Sequence, residues 1–137
     1  MLDVVFGLLL ASGLSVGYVF FLGFRNWVSP QGEGAFGIYL FGALSLIPTG
    51  LAWLACGWQS FRGGRDRHVR LAAVLVSCHL AAWALVVALL ARVRGSAPGW
   101  IMAVIALEPG IFALGATGLA VRWFWVRRRH FGEPLAA

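Results

Sequence analysis

Four long apolar stretches, separated by short polar connectors, dominate this sequence. Hydrophobic residues make up 61% of its 137 residues and charged residues only 12%. A water-soluble domain of this size cannot hide so much apolar surface, because small domains leave a large share of their surface exposed. A helix needs about 20 apolar residues to cross a hydrocarbon core about 30 Å thick. The sequence therefore predicts four transmembrane helices, at about residues 4–24, 35–58, 71–91 and 100–126.

The predicted fold is one all-α integral membrane domain over residues 1–137, with the four helices in an antiparallel left-handed bundle. Membrane strands are excluded because the apolar runs do not alternate with polar residues. The first run has no basic residue before it and is longer than a signal-peptide core, so we expect it to be a retained helix. The connectors are too short to contain a soluble catalytic domain.

Arginine is distributed unevenly between the two sides of the predicted membrane domain. The net charge of +6 comes from eleven arginines and no lysine. One side carries seven of them, namely Arg62, Arg65, Arg67, Arg70, Arg127, Arg128 and Arg129. The connectors on the other side hold Arg25 opposite Glu33, and Arg92 with Arg94. Basic residues near span ends favour the cytoplasmic side, which predicts that both termini are cytoplasmic.

The same charge bias indicates what the protein contacts. Arginines that flank membrane spans are natural partners of anionic lipid headgroups, so we expect the seven arginines to lie against them. A basic protein could also bind nucleic acid, but here the positive-inside rule explains the bias and no nucleic-acid partner is expected. We expect an integral protein of a bacterial cytoplasmic membrane.

Small residues at spacings of three and four predict where the helices pack, since membrane helices approach closely through such residues. The relevant residues are Ala84 and Ala88 in the third helix, and Ala106, Gly110, Ala113 and Thr117 in the fourth. We expect these two rows to face each other across a left-handed crossing of about +20°. Gly13 and Gly17 form a GxxxG pair in the first helix, and this pair could contact a second subunit.

Glu108 is the sharpest functional signal. It lies about 12 Å below the outer surface, counted along the fourth helix. An ionised side chain at such a depth costs about 2.5 kcal/mol or more. Pro109 follows it and leaves the Ile105 carbonyl without its helix donor, so a kink is expected beside the carboxyl group. The site could bind a proton or cation, contact a partner chain, or hold a protonated glutamate inside the bundle.

His79 is the second ionisable residue within a predicted span. It could relay a proton, ligate haem or bond to a neighbouring helix. A bis-histidine haem needs two intramembrane histidines, and His68 and His130 fall in cytoplasmic segments, so haem requires a second chain. No cofactor and no metal site are otherwise expected.

Helical phase predicts that His79 and Glu108 do not meet. At about 100° per residue, each points away from the small-residue row of its own helix, so facing rows would turn them apart. Glu108 would then need another polar partner. Tyr18 and Ser45 are the best candidates, because their depths of about 9 and 15 Å bracket that of Glu108. If neither reaches it, a second chain should supply the partner.

Pro48 is a second irregular position, in the second helix. It is expected to kink that helix and to free the carbonyl of Leu44, a deficit that Thr49 can partly satisfy.

Two functions stay open at this point. The leading hypothesis is a non-enzymatic membrane subunit or scaffold of a larger assembly, with another membrane chain or a second copy as its partner. The alternative is a small oligomeric transporter or channel that uses Glu108 for proton coupling. Enzymatic activity is not favoured, because the sequence contains no HExxH, no CxxC and no paired intramembrane carboxylates.

Overall fold

A computed structural model describes residues 1–28, 34–62, 66–93, 95 and 98–131 of the chain. Within the helices, the side chains of residues 27, 28, 34–36, 39, 130 and 131 lie outside this description. So do the predicted headgroup residue Arg65 and the connector residues Glu33 and Arg94.

The described part of the chain is all-helical. Its four helices are α1 (Leu2–Val28), α2 (Gly34–Phe61), α3 (Arg67–Leu90) and α4 (Gly99–Phe131). Each of them is long and apolar enough to cross a membrane. The prediction of four such helices is confirmed.

Every helix begins before the apolar stretch that predicted it, and three of the four also end after it. At its start, α3 is capped by Asp66, whose carboxylate accepts a hydrogen bond of 2.8 Å from the backbone N–H of His68. This cap satisfies one of the free amide donors at a helix N-terminus. At its end, α4 continues through the arginine run to Phe131. Apolar composition marks the part of a helix that suits hydrocarbon, whereas the helical backbone can continue into polar surroundings.

Contacts at one end of the molecule show how the helices are oriented. Asp3 forms an ion pair with Arg127, and Phe6 stacks on Trp123 with ring centroids 4.6 Å apart. The edge of His68 also meets the Trp123 ring, at a centroid distance of 6.1 Å. The starts of α1 and α3 therefore lie beside the end of α4, which runs opposite to both. In the packing, α1 and α3 each contact α2 and α4.

Helices α1 and α4 approach each other closely at the glycines of α1. A Cβ atom added to Gly13 would lie 2.7 Å from Thr117 Oγ1 and 3.0 Å from the Thr117 backbone nitrogen. One added to Gly17 would lie 3.4 Å from the Cβ of Ala113. The GxxxG pair of α1 therefore packs within the chain against α4, and the expectation that it contacts a second subunit is wrong.

The predicted contact between the small-residue rows of α3 and α4 is also wrong. Ala84, Ala88 and Ala106 are exposed. The buried face of α3 is the opposite one, formed by Val69, Ala72, Val76, His79 and Val86. The physical reason is polarity: this rotation places the His79 ring inside the molecule, where it finds a hydrogen-bonding partner.

Small residues of α4 serve other contacts than the predicted one. Gly110 lies against the ring of Phe20 in α1, where an added Cβ would be 3.2 Å from the ring, and Gly115 receives the side chain of Leu75 from α3. Small residues on α4 thus accommodate large side chains from two neighbouring helices. The left-handed packing of the bundle stays a prediction.

Candidate functional site

His79 and Glu108 form a direct contact between α3 and α4. The Nδ1 atom of His79 lies 2.7 Å from Oε1 of Glu108, within hydrogen-bond distance. The prediction that helical phase keeps these residues apart is wrong, because it assumed that the small-residue rows face each other. With α3 rotated, His79 points towards α4 and reaches the carboxyl group.

The lengths of the two helices place both residues at the same level. Glu108 lies nine residues after Gly99, and His79 lies eleven residues before Leu90. At a rise of about 1.5 Å per residue, these positions are roughly 14 and 16 Å from the turn that joins α3 to α4. Equal depth on consecutive helices was the feature of the sequence that could have predicted this contact. Helical phase led to the wrong conclusion.

The surroundings of the pair are apolar and largely closed. His79 is 4% exposed and Glu108 is 21% exposed. Phe112, one helical turn after Glu108, stacks on the imidazole with a centroid distance of 3.9 Å and an interplanar angle of 17°. The stacked ring fixes the plane of the imidazole and keeps Nδ1 directed at the carboxyl group.

One oxygen of the carboxyl group has spare hydrogen-bonding capacity. Glu108 Oε2 is buried and has no hydrogen-bond partner among the residues that the structure describes. Pro109 adds a second acceptor nearby, because α4 continues through the proline and the Ile105 carbonyl lacks its usual amide donor. The site therefore contains more acceptors than donors.

The pair can hold a proton in more than one way. With one shared proton, either a neutral histidine faces a carboxylic acid or an imidazolium faces a carboxylate, and both forms make a hydrogen bond. Loss of that proton leaves one negative charge in apolar surroundings, which is costly unless the charge is compensated. Binding and release of a proton at this site would therefore change its charge and its hydrogen bonding together.

Tyr18 and Ser45 lie elsewhere. Ser45 donates a 2.7 Å hydrogen bond to the carbonyl of Gly42 on its own helix, and Tyr18 packs edge-on against Phe41 at 5.1 Å. Both line a groove between α1 and α2 that also contains Pro48. The prediction that one of them is the partner of Glu108 is wrong, since His79 occupies that position.

Thr49 does not compensate for Pro48 in the expected way. Its hydroxyl donates to the carbonyl of Ser45 at 2.7 Å, so the carbonyl of Leu44 gains nothing from it. The same oxygen lies 2.7 Å from Ser12 Oγ in α1. Because the single Thr49 proton is committed to Ser45, Ser12 must be the donor in this buried contact.

Six of the seven arginines predicted to meet lipid headgroups are described, and they lie at the end of the molecule that contains Asp3. Arg62 lies over the ring of Trp58 at 5.0 Å, and Arg129 lies over the ring of Trp125 at 3.6 Å. Arg67, Arg70 and Arg128 are exposed, and Arg127 pairs with Asp3. Both arginine segments therefore contribute to one basic face.

A metal centre is not evident in the described segments, where no group of three or more histidine, cysteine, aspartate or glutamate side chains could hold an ion. His68 lies against Trp123 at the basic end, far along α3 from His79. Haem ligation by His79 thus stays a hypothesis that needs a second chain.

No protein family model, no curated protein sequence and no solved structure matches this chain.

Proposed function

We propose that this chain is a four-helix integral membrane protein that binds and releases a proton at the His79–Glu108 pair, and that this exchange is coupled to transport across the bilayer. The observation that carries the proposal is the 2.7 Å contact between His79 Nδ1 and Glu108 Oε1 in helices that are long and apolar enough to span a membrane. Ionisable residues within membrane helices mark ion pathways and proton relays.

The free-energy cost of placing ionisable side chains in a membrane favours a functional role for the pair. A charged side chain at the centre of a membrane helix costs about 2.5–3.5 kcal/mol, so two ionisable residues at one depth are expensive to retain for packing alone. An apolar pair of similar volume would serve stability as well or better. A histidine paired with a carboxyl group, by contrast, supplies a group that exchanges protons with its surroundings.

Pro109 provides a means of coupling proton exchange to movement. Helix α4 lacks one backbone hydrogen bond directly beside the carboxyl group, and such positions are where membrane helices bend. A change in the His79–Glu108 hydrogen bond acts on the α3–α4 contact at this weak point. Transport would follow if the segment of α4 before Pro109 moves relative to the segment after it.

The basic face supports an orientation within the proposed membrane. With the arginines of the α2–α3 connector and of the α4 end on one face, the positive-inside rule places that face and both termini in the cytoplasm. Anionic headgroups would surround it. The His79–Glu108 pair would then lie about 14 to 16 Å below the α3–α4 turn, which is on the opposite side.

The decisive experiment measures proton flux in proteoliposomes loaded with a pH-sensitive dye, with a defined pH gradient and membrane potential. The native protein should carry protons, and Glu108→Gln should abolish the flux because the amide keeps the shape but cannot titrate. Asp66→Asn is the matched control, since asparagine preserves the helix cap while removing an acid outside the span. Flux in Glu108→Gln equal to that of the native protein would exclude the proposal.

Assembly with another membrane chain is the second candidate function, and one observation favours it. The row of small residues on α3, which includes Ala84 and Ala88, is exposed. Membrane helix interfaces are enriched in such residues. Glu108 gives this candidate no support, because its partner is His79 of the same chain. Purification in a mild detergent, followed by identification of every retained chain, tests it: a stoichiometric partner together with absent proton flux would favour the subunit.

A further inference from the structure

The groove between α1 and α2 combines an apolar lining with a small set of polar groups. It has a volume of about 360 Å³ and is lined by Leu14, Ser15, Tyr18, Phe41, Leu44, Ser45 and Pro48. This volume falls within the usual range for small-ligand sites, about 300–1,000 Å³. None of the seven lining residues carries a charge. A charged ligand head would therefore remain uncompensated in apolar surroundings, and the groove suits an uncharged molecule.

The hydroxyl groups of the groove differ in whether their proton is still available for a hydrogen bond to a ligand. Ser15 donates to the carbonyl of Ala11 at 2.6 Å, and Ser45 donates to the carbonyl of Gly42 at 2.7 Å. Both serines have committed their only proton and present oxygen lone pairs as acceptors. The hydroxyl of Tyr18 forms no hydrogen bond with any described residue, so its proton is available.

Pro48 adds an acceptor from the backbone. Helix α2 runs through this proline without a break, so the carbonyl of Leu44 has no amide donor one turn later. Thr49 donates to Ser45 instead of to Leu44. In hydrocarbon a carbonyl or hydroxyl without a partner is costly, and a ligand that satisfies both would gain affinity.

We propose that this groove binds an uncharged lipid of the bilayer that carries a free hydroxyl group, such as a long-chain alcohol or a diacylglycerol. A hydroxyl is both donor and acceptor, so it can accept from Tyr18 and donate to the Leu44 carbonyl or to a serine oxygen. Its apolar chain lies along Leu14 and Phe41, two residues that are 59% and 38% exposed. The groove is thus open on the side that would face lipid. This inference is independent of proton exchange at His79 and Glu108.

The test uses the full chain reconstituted in phosphatidylcholine nanodiscs and a hexadecanol analogue that carries a photoreactive diazirine. Crosslinked peptides are mapped by mass spectrometry, and affinity is read from competition with unlabelled hexadecanol. Labelling should concentrate on the groove residues and should saturate. The matching alkyl sulfate, which stays charged in the bilayer, should label the groove at least about tenfold less, the size expected for an unpaired charge in an apolar site.

Three variants keep the result interpretable. Tyr18→Phe retains the ring and removes the hydroxyl, and should weaken binding roughly tenfold, the value expected for one lost hydrogen bond. Leu44→Trp should fill the groove and abolish saturable labelling. Leu54→Trp is the matched control, because Leu54 is an exposed leucine of the same helix that does not line the groove. Labelling spread evenly over the outer faces of α1 and α2, equal labelling by the alcohol and the alkyl sulfate, or unchanged affinity in Tyr18→Phe would each overturn the proposal.

Discussion

At the scale of single residues, two sites in the packing can be tested by substitution, one at Gly13 and one at the His79–Glu108 pair. Gly13 is the first of them. Its Cα faces the backbone of Thr117 so closely that a methyl group would lie 3.0 Å from the amide nitrogen. Backbone cannot rotate away as a flexible side chain can, so helix α1 would have to shift to admit any side chain.

Gly13→Ala should therefore destabilise the protein by roughly 1–3 kcal/mol through overpacking. The measurement is reversible unfolding in mixed detergent micelles, followed by circular dichroism. Gly7→Ala is the control on the same helix, because a Cβ added there would have nothing within 4 Å. Alanine there should be neutral or slightly stabilising. Equal stability of the two variants would contradict the close α1–α4 contact.

The His79–Glu108 pair is the second site. His79→Leu leaves the carboxyl group without its hydrogen-bond partner, and Glu108→Gln replaces the carboxyl group with an amide that bonds more weakly to the imidazole. Each single change should cost about 1–3 kcal/mol, since it leaves a buried polar group poorly satisfied. In the double variant the combined cost should fall short of the sum by about 0.5–3 kcal/mol, as expected for residues in contact.

A double-mutant cycle by the same unfolding assay measures that coupling. Strict additivity of the two changes would show that the pair is not formed in the membrane-bound protein. The cycle is informative for stability alone, and proton flux in the same variants separates the structural role of the pair from its proposed function.

At the scale of helices, the rotation of α3 decides which residues form interfaces. Ala113→Leu should destabilise by roughly 1–3 kcal/mol, because Ala113 lies against Gly17 of α1. Ala84→Leu should change stability by less than about 0.5 kcal/mol, because Ala84 is on the exposed face of α3. The two substitutions add the same atoms to an alanine in a helix, so their difference reports packing. A large loss in Ala84→Leu would indicate that α3 buries its small-residue face, against this structure.

The same rotation shows where reasoning from the sequence succeeds and fails. Four helices were predictable, because runs of about 20 apolar residues have one physical explanation. Which face of a helix turns inward was not, because two tendencies competed on α3. Small residues at Ala84 and Ala88 favoured close helix packing, and His79 favoured burial beside a polar partner. Polarity prevailed, since an unpartnered buried polar group costs more than packing of alanines gains.

The His79–Glu108 site and the groove between α1 and α2 differ in how much of each could be predicted from the sequence. Glu108 and His79 were identifiable one by one as ionisable residues in apolar helices, and only their contact was missed. The groove around Tyr18 and Ser45 depends on the spacing between α1 and α2, which no local pattern encodes. Depth alone suggested these two residues as partners of Glu108. In the structure they line the groove between α1 and α2.

At the scale of the whole molecule, one end is basic and gathers the start of α1, the start of α3 and the end of α4. If the chain spans a membrane, positions 67 and 129 must be accessible from one side and position 25 from the other. Single cysteines at these positions, in a background where Cys56 and Cys78 are replaced by alanine, can be labelled with a membrane-impermeant maleimide. Cells should label at position 25, and inverted vesicles at 67 and 129. Labelling of 67 or 129 in intact cells would refute the cytoplasmic assignment of the basic end.

The contact between Gly13 and Thr117 also has a consequence for the order of events during synthesis of the chain. These residues are roughly 100 positions apart, and a ribosome adds about 5–20 residues per second, so the glycine face of α1 waits roughly 5–20 s for its partner. During that interval the newly made helix presents a smooth, small-residue surface to any other helix in its vicinity. Correct assembly therefore depends on the glycine face of α1 remaining unengaged until α4 is synthesised, and a ribosome that stalls before α4 would release a chain in which this face is free to pair wrongly.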